Sequence, residues 1–210
     1  MSQITFSIEG VSKEFNRRSI FENISFSLSQ KNSLAITGRN GSGKSTLAKI
    51  LCGLLTPTRG TLSLSVEEKV IPALDIHRHI GLVSPYINMY DEFSGIENLI
   101  VFAHIRNLGS GADGEPERLL RQFGIYERRN DEVRTYSSGM KQRLKYAAAM
   151  LHHPEILILD EPTANLDDEG AATVRSLMRA HVKAGILIIA TNDAKDLKFA
   201  KRTIDLNEVK

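Results

Sequence analysis

Cysteine is almost missing from this chain. Its single example, Cys52, excludes an internal disulfide and fits a reducing compartment. No apolar run approaches the roughly 20 residues that a membrane-spanning helix needs. The opening Met1-Ser2-Gln3-Ile4-Thr5-Phe6 has neither the basic nor the apolar region of a signal peptide. The expected location is therefore cytoplasmic, with any membrane association supplied by a partner. Charge of one sign is scarce as well: 27 Lys and Arg against 25 Asp and Glu leave a net charge of +2. That is too little to attract nucleic acid by bulk electrostatics, and none is expected as a partner. There is no internal repeat and no low-complexity tract.

What is present is an ordinary globular composition, 41% hydrophobic and 25% charged, in 210 residues. This length suits one compact domain, or a core carrying a small inserted lobe. Alternation in Ile4-Thr5-Phe6-Ser7-Ile8 and in Ile24-Ser25-Phe26-Ser27-Leu28 predicts two half-buried antiparallel strands. Ser33-Leu34-Ala35-Ile36-Thr37 reads as a buried strand, and apolar spacing over 45–55 is helical. Cys52 falls in that helical stretch and reads as a small core residue, the alternative being a reactive thiol. Two further apolar runs, Ile156-Leu157-Ile158-Leu159 and Ile186-Leu187-Ile188-Ile189, flank a helix expected over 169–184, which makes a parallel crossover. Between these halves the pattern is helical at 95–107 and 116–123, joined by a glycine-rich loop at 109–114. The expected fold is α/β: a P-loop core with a mixed sheet, an N-terminal antiparallel β subdomain, and a helical lobe over about 85–137 inserted into a single domain of 1–210.

Gly38-Arg39-Asn40-Gly41-Ser42-Gly43-Lys44-Ser45-Thr46 matches G-x-x-x-x-G-K-[ST] and lies between a predicted strand and a predicted helix. Glycines at 41 and 43 let successive N–H groups turn inward, and the helix N-terminus adds positive potential. Lys44 is then the residue to reach the β- and γ-phosphates, and Ser45 the ligand for Mg2+. The alternative is a glycine-serine surface loop with a solvated lysine. Asp160-Glu161 ends a buried strand, where open α/β sheets bind their ligands. Asp160 suits the Mg2+ shell and Glu161 a general base for water; structurally, Asp-Glu-Pro is also a plausible turn.

Tyr136-Ser137-Ser138-Gly139-Met140-Lys141-Gln142-Arg143, about twenty residues ahead of Asp160-Glu161, resembles the signature loop of the ABC ATPase family. Ser137 and Gly139 match that motif, while Tyr136, Ser138 and Met140 depart from its commonest form in a way similar to exporter subunits. Read from its residues alone, Ser137 is equally a helix N-cap. The resemblance implies ATP and Mg2+ as ligands, with Ser137 and Gly139 serving the γ-phosphate of a second ATP-binding subunit. It also implies hydrolysis coupled to a separate transmembrane subunit, with the chain peripheral on the inner face of the cell membrane. Phe15 stands where the family stacks adenine, the alternative being a core aromatic. Ala164-Asn165-Leu166-Asp167 resembles the loop joining two active sites, and Asp167 also suits an N-cap. Lys141, Arg143 and Lys145 read as a solvated face.

Two positions depart from the family pattern. Pro85 takes the place of a glutamine that contacts Mg2+ and water, and Asn88 lies a few residues on. Asn192, in Ala190-Thr191-Asn192-Asp193, replaces a histidine that contacts the γ-phosphate; its amide can donate a hydrogen bond but carries no charge. Slow hydrolysis is the expectation. The competing readings are a nucleotide-gated clamp on a macromolecular assembly, which would carry coiled-coil inserts or a basic stripe, and a P-loop kinase, against which the serine-glycine loop argues.

Overall fold

The computed structural model describes residues 3–109 and 114–209. The predicted loop at 109–114 lies mostly outside them. The chain divides into two compact units, one of Met1–Ser84, Glu155–Pro162 and Met178–Lys210, the other of Pro85–Pro154 and Thr163–Leu177. The second unit therefore takes in chain well beyond residue 137.

The first unit holds two sheets. Strands β1 (Ile4–Phe15) and β2 (Arg18–Ser29) pair antiparallel through a two-residue turn in which Asn16 and Arg17 both have positive φ, the conformation that matches strand twist. β4 (Arg59–Val66) and β5 (Lys69–Ile71), which the alternation analysis did not register, extend this sheet in the order β2-β1-β4-β5. Buried positions in β1 run Ile4, Phe6, Ile8 and then Val11. The odd step coincides with a register shift between Ile8 and Val11, one extra residue that keeps Val11 on the inner face.

The second sheet is parallel throughout, in the order β6-β7-β8-β3-β9, with β3 at Ser33–Thr37, β6 at Ile80–Val83, β7 at Ile156–Asp160, β8 at Ile186–Ala190 and β9 at Arg202–Asp205. The expected mixed sheet is thus resolved into an antiparallel and a parallel one. Every residue of β7 and β8 is buried, as continuous apolar strands covered on both faces must be. Helix α1 (Lys44–Leu51) packs its Leu47, Ile50 and Leu51 into the same core as Phe6, Phe26, Ile158 and Ile188. It ends before residue 55 because the Leu54 and Gly53 N–H groups turn back to the Lys49 and Ile50 carbonyls, a Schellman closure. Cys52 is 3% exposed in that core, and burial pushes its thiol well up, so the core reading holds.

The second unit is helical: α2 (Gly95–Ile105), α3 (Glu115–Gln122), α4 (Ser138–Met150) and the first part of α5 (Asp168–His181). Ser94 and Glu97 form a capping box that starts α2. Fully buried Asn98 accepts from the Tyr90 N–H at 2.8 Å and donates to the Tyr90 and Ser94 carbonyls at 3.0 Å, tying the preceding loop to the helix. Phe123 stacks on buried Tyr146 at 5.8 Å between ring centres. No helix among the described residues is long and apolar enough to cross a membrane.

Asn98→Ala strands these backbone groups and is expected to lower stability by about 2–3 kcal/mol in urea titration followed by helical circular dichroism. His181, at the end of α5, makes a second prediction. Burial holds its imidazole below the ordinary value of 6.5, and its Nε2 has no partner among the described residues. The unfolded chain therefore takes up the proton first, so stability falls as pH drops from 6.5 toward the folded-state value. In melting curves between pH 7.5 and 5, His181→Gln should lose less stability than the parent.

Candidate functional site

Parallel pairing of β3, β7 and β8 brings their C-terminal ends together. Ala190 of β8 lies opposite Ile36 on one side and Asp160 on the other, so the loop leaving β3, the carboxylates ending β7 and the turn leaving β8 share one sheet edge.

The loop over 38–43 enters α1 through Gly43, whose φ of 104° favours glycine. A Cβ there would stand 2.6 Å from Ile20 Cγ2 on β2. At Gly38, φ is 140° and a Cβ would meet Ser42 Oγ at 2.5 Å. Lys44 is 7% exposed and folds back over the loop, donating from Nζ to the Gly38 carbonyl at 2.6 Å and the Arg39 carbonyl at 3.4 Å. Arg39, Asn40 and Gly41 are exposed at the loop's crest, while Ser42 is buried with no partner for Oγ among the described residues. Ser45 and Thr46 sit half-buried in the first turn of α1. An N-terminal helical turn preceded by such a loop presents free N–H groups and a positive dipole, the chemistry of an anion cradle.

Asp160 is 1% exposed. Its Oδ2 accepts from Ser84 Oγ at 3.2 Å, and its Oδ1 has no partner among the described residues. A buried carboxylate oxygen without a donor fits a divalent cation, which takes oxygen ligands. Glu161 continues the ladder by donating its N–H to the Ala190 carbonyl at 2.8 Å and then turns with a φ of 52°. Burial holds its carboxyl above the ordinary carboxylate value; Asp160 and Asp196 reinforce the rise, and the Lys44 ammonium and Thr191 hydroxyl oppose it. A carboxylate whose hold on a proton is raised by burial, beside a second acid and an ammonium, has the character of a proton acceptor.

Asn192 is joined to this group by both ends of its amide, with Nδ2 donating to the Gly38 carbonyl at 2.9 Å and Oδ1 accepting from the Gly38 N–H at 3.2 Å. Phe15 ends β1 at 44% exposure, with the Lys13 ammonium 4.7 Å from its ring centre. It is a surface ring, not a core one.

In the second unit, Ser137 caps α4 by accepting from the Met140 N–H at 3.2 Å. Together with Gly139, Arg143, Asn165 and Asp167 it lines a cleft of about 390 Å³. Asp167 caps α5 by accepting from the Gly170 N–H at 3.0 Å, and its carboxyl is held below the ordinary range by the Arg143 guanidinium 2.6 Å away. This corrects the reading of Lys141, Arg143 and Lys145 as a solvated face: the Arg143 side chain is only 13% exposed and Lys141 pairs with Asp91. Charge pattern alone does not distinguish a paired arginine from a solvated one. Pro85 offers only its carbonyl, which accepts from Lys145 Nζ at 3.4 Å. Sequence reasoning missed Ser84. Its signal was a polar residue closing an apolar strand, legible only once β6 is known to lie beside β7.

Residues 21–164 match the family model described as ABC transporter. The daunorubicin resistance ATP-binding protein DrrA3 of Streptomyces coeruleorubidus is 31% identical over 91% of this chain, which spans 61% of that relative's length. The arginine transport ATP-binding protein ArtM of Bacillus subtilis is 32% identical over 94% of this chain and 84% of its own. A solved ATP-binding subunit of an ABC transporter superposes with a TM-score of 0.83 at 25% identity, over 95% of this chain and 85% of its own. The match in sequence and in fold, over nearly the whole chain, places this protein in the ABC transporter family.

Proposed function

We propose that the chain acts as one ATP-binding domain that hydrolyses ATP to drive a separate transmembrane subunit. The single observation that carries this reading is the shared sheet edge, where Lys44, Asp160 and Glu161 meet at the ends of β3 and β7. In it, the N–H groups that lead from the loop into the first turn of α1 cradle the phosphates, with Lys44 leaving its place on the Gly38 carbonyl to meet the β- and γ-oxygens. Asp160 and Ser45 hold Mg2+, which would neutralise charge on the phosphates. Glu161 takes the proton of the water that attacks the γ-phosphorus, and the bond to the bridging oxygen breaks to give ADP and phosphate.

Phe15 supplies an exposed ring for adenine. Ser137 and Gly139, on their open cleft, meet the γ-phosphate of a second ATP-binding subunit, the same chain or a different one. The helices of the second unit form the lobe that engages the membrane subunit. Its surface supports this: Tyr90 and Phe93 lie 5.3 Å apart at 46% and 40% exposure, near Phe102. Solvated aromatics grouped in this way mark a contact face. Export is the proposed direction, on the resemblance of Tyr136, Ser138 and Met140 to exporter signatures, and the protein is placed on the inner face of the cell membrane through its partner.

Glu161→Gln is expected to keep ATP affinity, read by equilibrium titration, and to lower steady-state turnover by about 10²–10⁴-fold; turnover at the parent rate would remove Glu161 as the base. Phe93→Ser should reduce co-sedimentation of the chain with membranes from its own cells. Equal sedimentation would displace the aromatic face as the docking surface.

A further inference from the structure

The last backbone bond between β8 and β3 runs from the Thr191 N–H to the Ile36 carbonyl at 3.1 Å. One residue further on, the Asn192 side chain takes over. Its amide meets the N–H and the carbonyl of Gly38 at 3.2 and 2.9 Å, one bond accepted and one donated, as a residue of a neighbouring strand would supply from its two flanking peptides. Gly38 is the first residue of the phosphate loop. On the other flank of β3, the Leu206 N–H reaches the Thr37 carbonyl at 2.9 Å, and the Arg39 N–H donates to Asn207 Oδ1 at 3.3 Å. Both strands bordering β3 thus prolong their ladders by an asparagine side chain, and the two meet the loop at consecutive residues.

We infer that Asn192 is a positioning residue for nucleotide binding, which splints the first residue of the phosphate loop to the end of β8 instead of reaching for the terminal phosphate. Swinging the whole amide away from Gly38 toward a γ-phosphate would break both of these bonds. The splint also acts on Lys44, because the Gly38 carbonyl accepts from both Nζ and Asn192 Nδ2. When Lys44 leaves for the phosphates, Asn192 keeps that buried carbonyl satisfied and the loop stays in place. Holding the loop's entry fixes the direction of the N–H groups that follow, and these face the phosphates shared by ADP and ATP. The role therefore predicts equal effects on the two nucleotides, whereas a γ-phosphate contact predicts an effect on ATP alone.

The inference rests on the ATP-binding reading, and one titration series separates the two. The chain and Asn192→Ala are titrated with Mg·ADP and with a non-hydrolysable ATP analogue, and steady-state ATPase kinetics are recorded beside them. Asn192→Ala is expected to weaken both nucleotides by a similar factor, about ten-fold for two lost hydrogen bonds, with KM rising more than kcat falls. Asn192→Asp, which keeps the acceptor but sets a carboxylate against the Gly38 carbonyl, is expected to weaken both further. ADP affinity unchanged in Asn192→Ala, with only the analogue or kcat affected, would overturn the inference in favour of γ-phosphate sensing. A lowered melting point with both affinities intact would overturn it in favour of a purely structural role. If the parent binds neither nucleotide, the ATP reading falls together with it.

Discussion

The parallel ladder of β7, β8 and β3 is the constraint on which the rest of the molecule depends. Its register sets Ala190 opposite both Ile36 and Asp160, so three segments far apart in sequence finish at the same height. The ladder holds because Ile156 to Leu159 and Ile186 to Ala190 are apolar without interruption, which lets both faces be buried and leaves backbone pairing as the only way to satisfy their peptides. A one-residue slip would turn Asp160 to the other face and carry its carboxylate away from Ser84.

From this edge the chemistry follows by local rules. Gly38 and Gly43 accept conformations and close approaches that a Cβ would forbid. Lys44 is buried yet charged, which is tolerable because two carbonyls receive its ammonium. Asp160 has one buried oxygen without a partner among the described residues, and Glu161 is raised by burial while Lys44 opposes the rise. These are separate features of four neighbouring groups, and together they make up the site proposed to take a polyphosphate and a divalent cation. In the second unit the same economy appears at Arg143, wedged so that a Cβ on Gly170 would stand 3.1 Å from its Nε and one on Gly124 3.3 Å from its Nη1. Two glycines make room for one guanidinium, which fixes the carboxyl of Asp167 above the start of α5.

Much of this was legible in one dimension. The G-x-x-x-x-G-K-S match, the apolar runs of β3, β7 and β8, and the acid pair at the end of β7 carry their own meaning, because spacing and hydrophobic period are local properties of the chain. Strand β4 was legible but passed over, since Leu62, Leu64 and Val66 alternate with Thr61, Ser63 and Ser65 as the apolar residues of β1 do; β5, three residues long, is too short to show a period. Arg143 looked solvated because a helical charge pattern says nothing of a partner 24 residues away. Ser84 went unseen for the same reason, since its role exists only beside Asp160.

The sequence by itself determined the phosphate loop, the family resemblance and the α/β class, all of which rest on short-range order of residue types. The tertiary structure decided that the strands divide into an antiparallel and a parallel sheet, that Phe15 lies on the surface, and that Asn192 spends both ends of its amide on Gly38. Asn192 and Gly38 are 154 positions apart. No periodicity within either segment could have paired them, because the hydrogen bonds form only once the ladder of β3 and β8 has brought the two chain ends to the same edge.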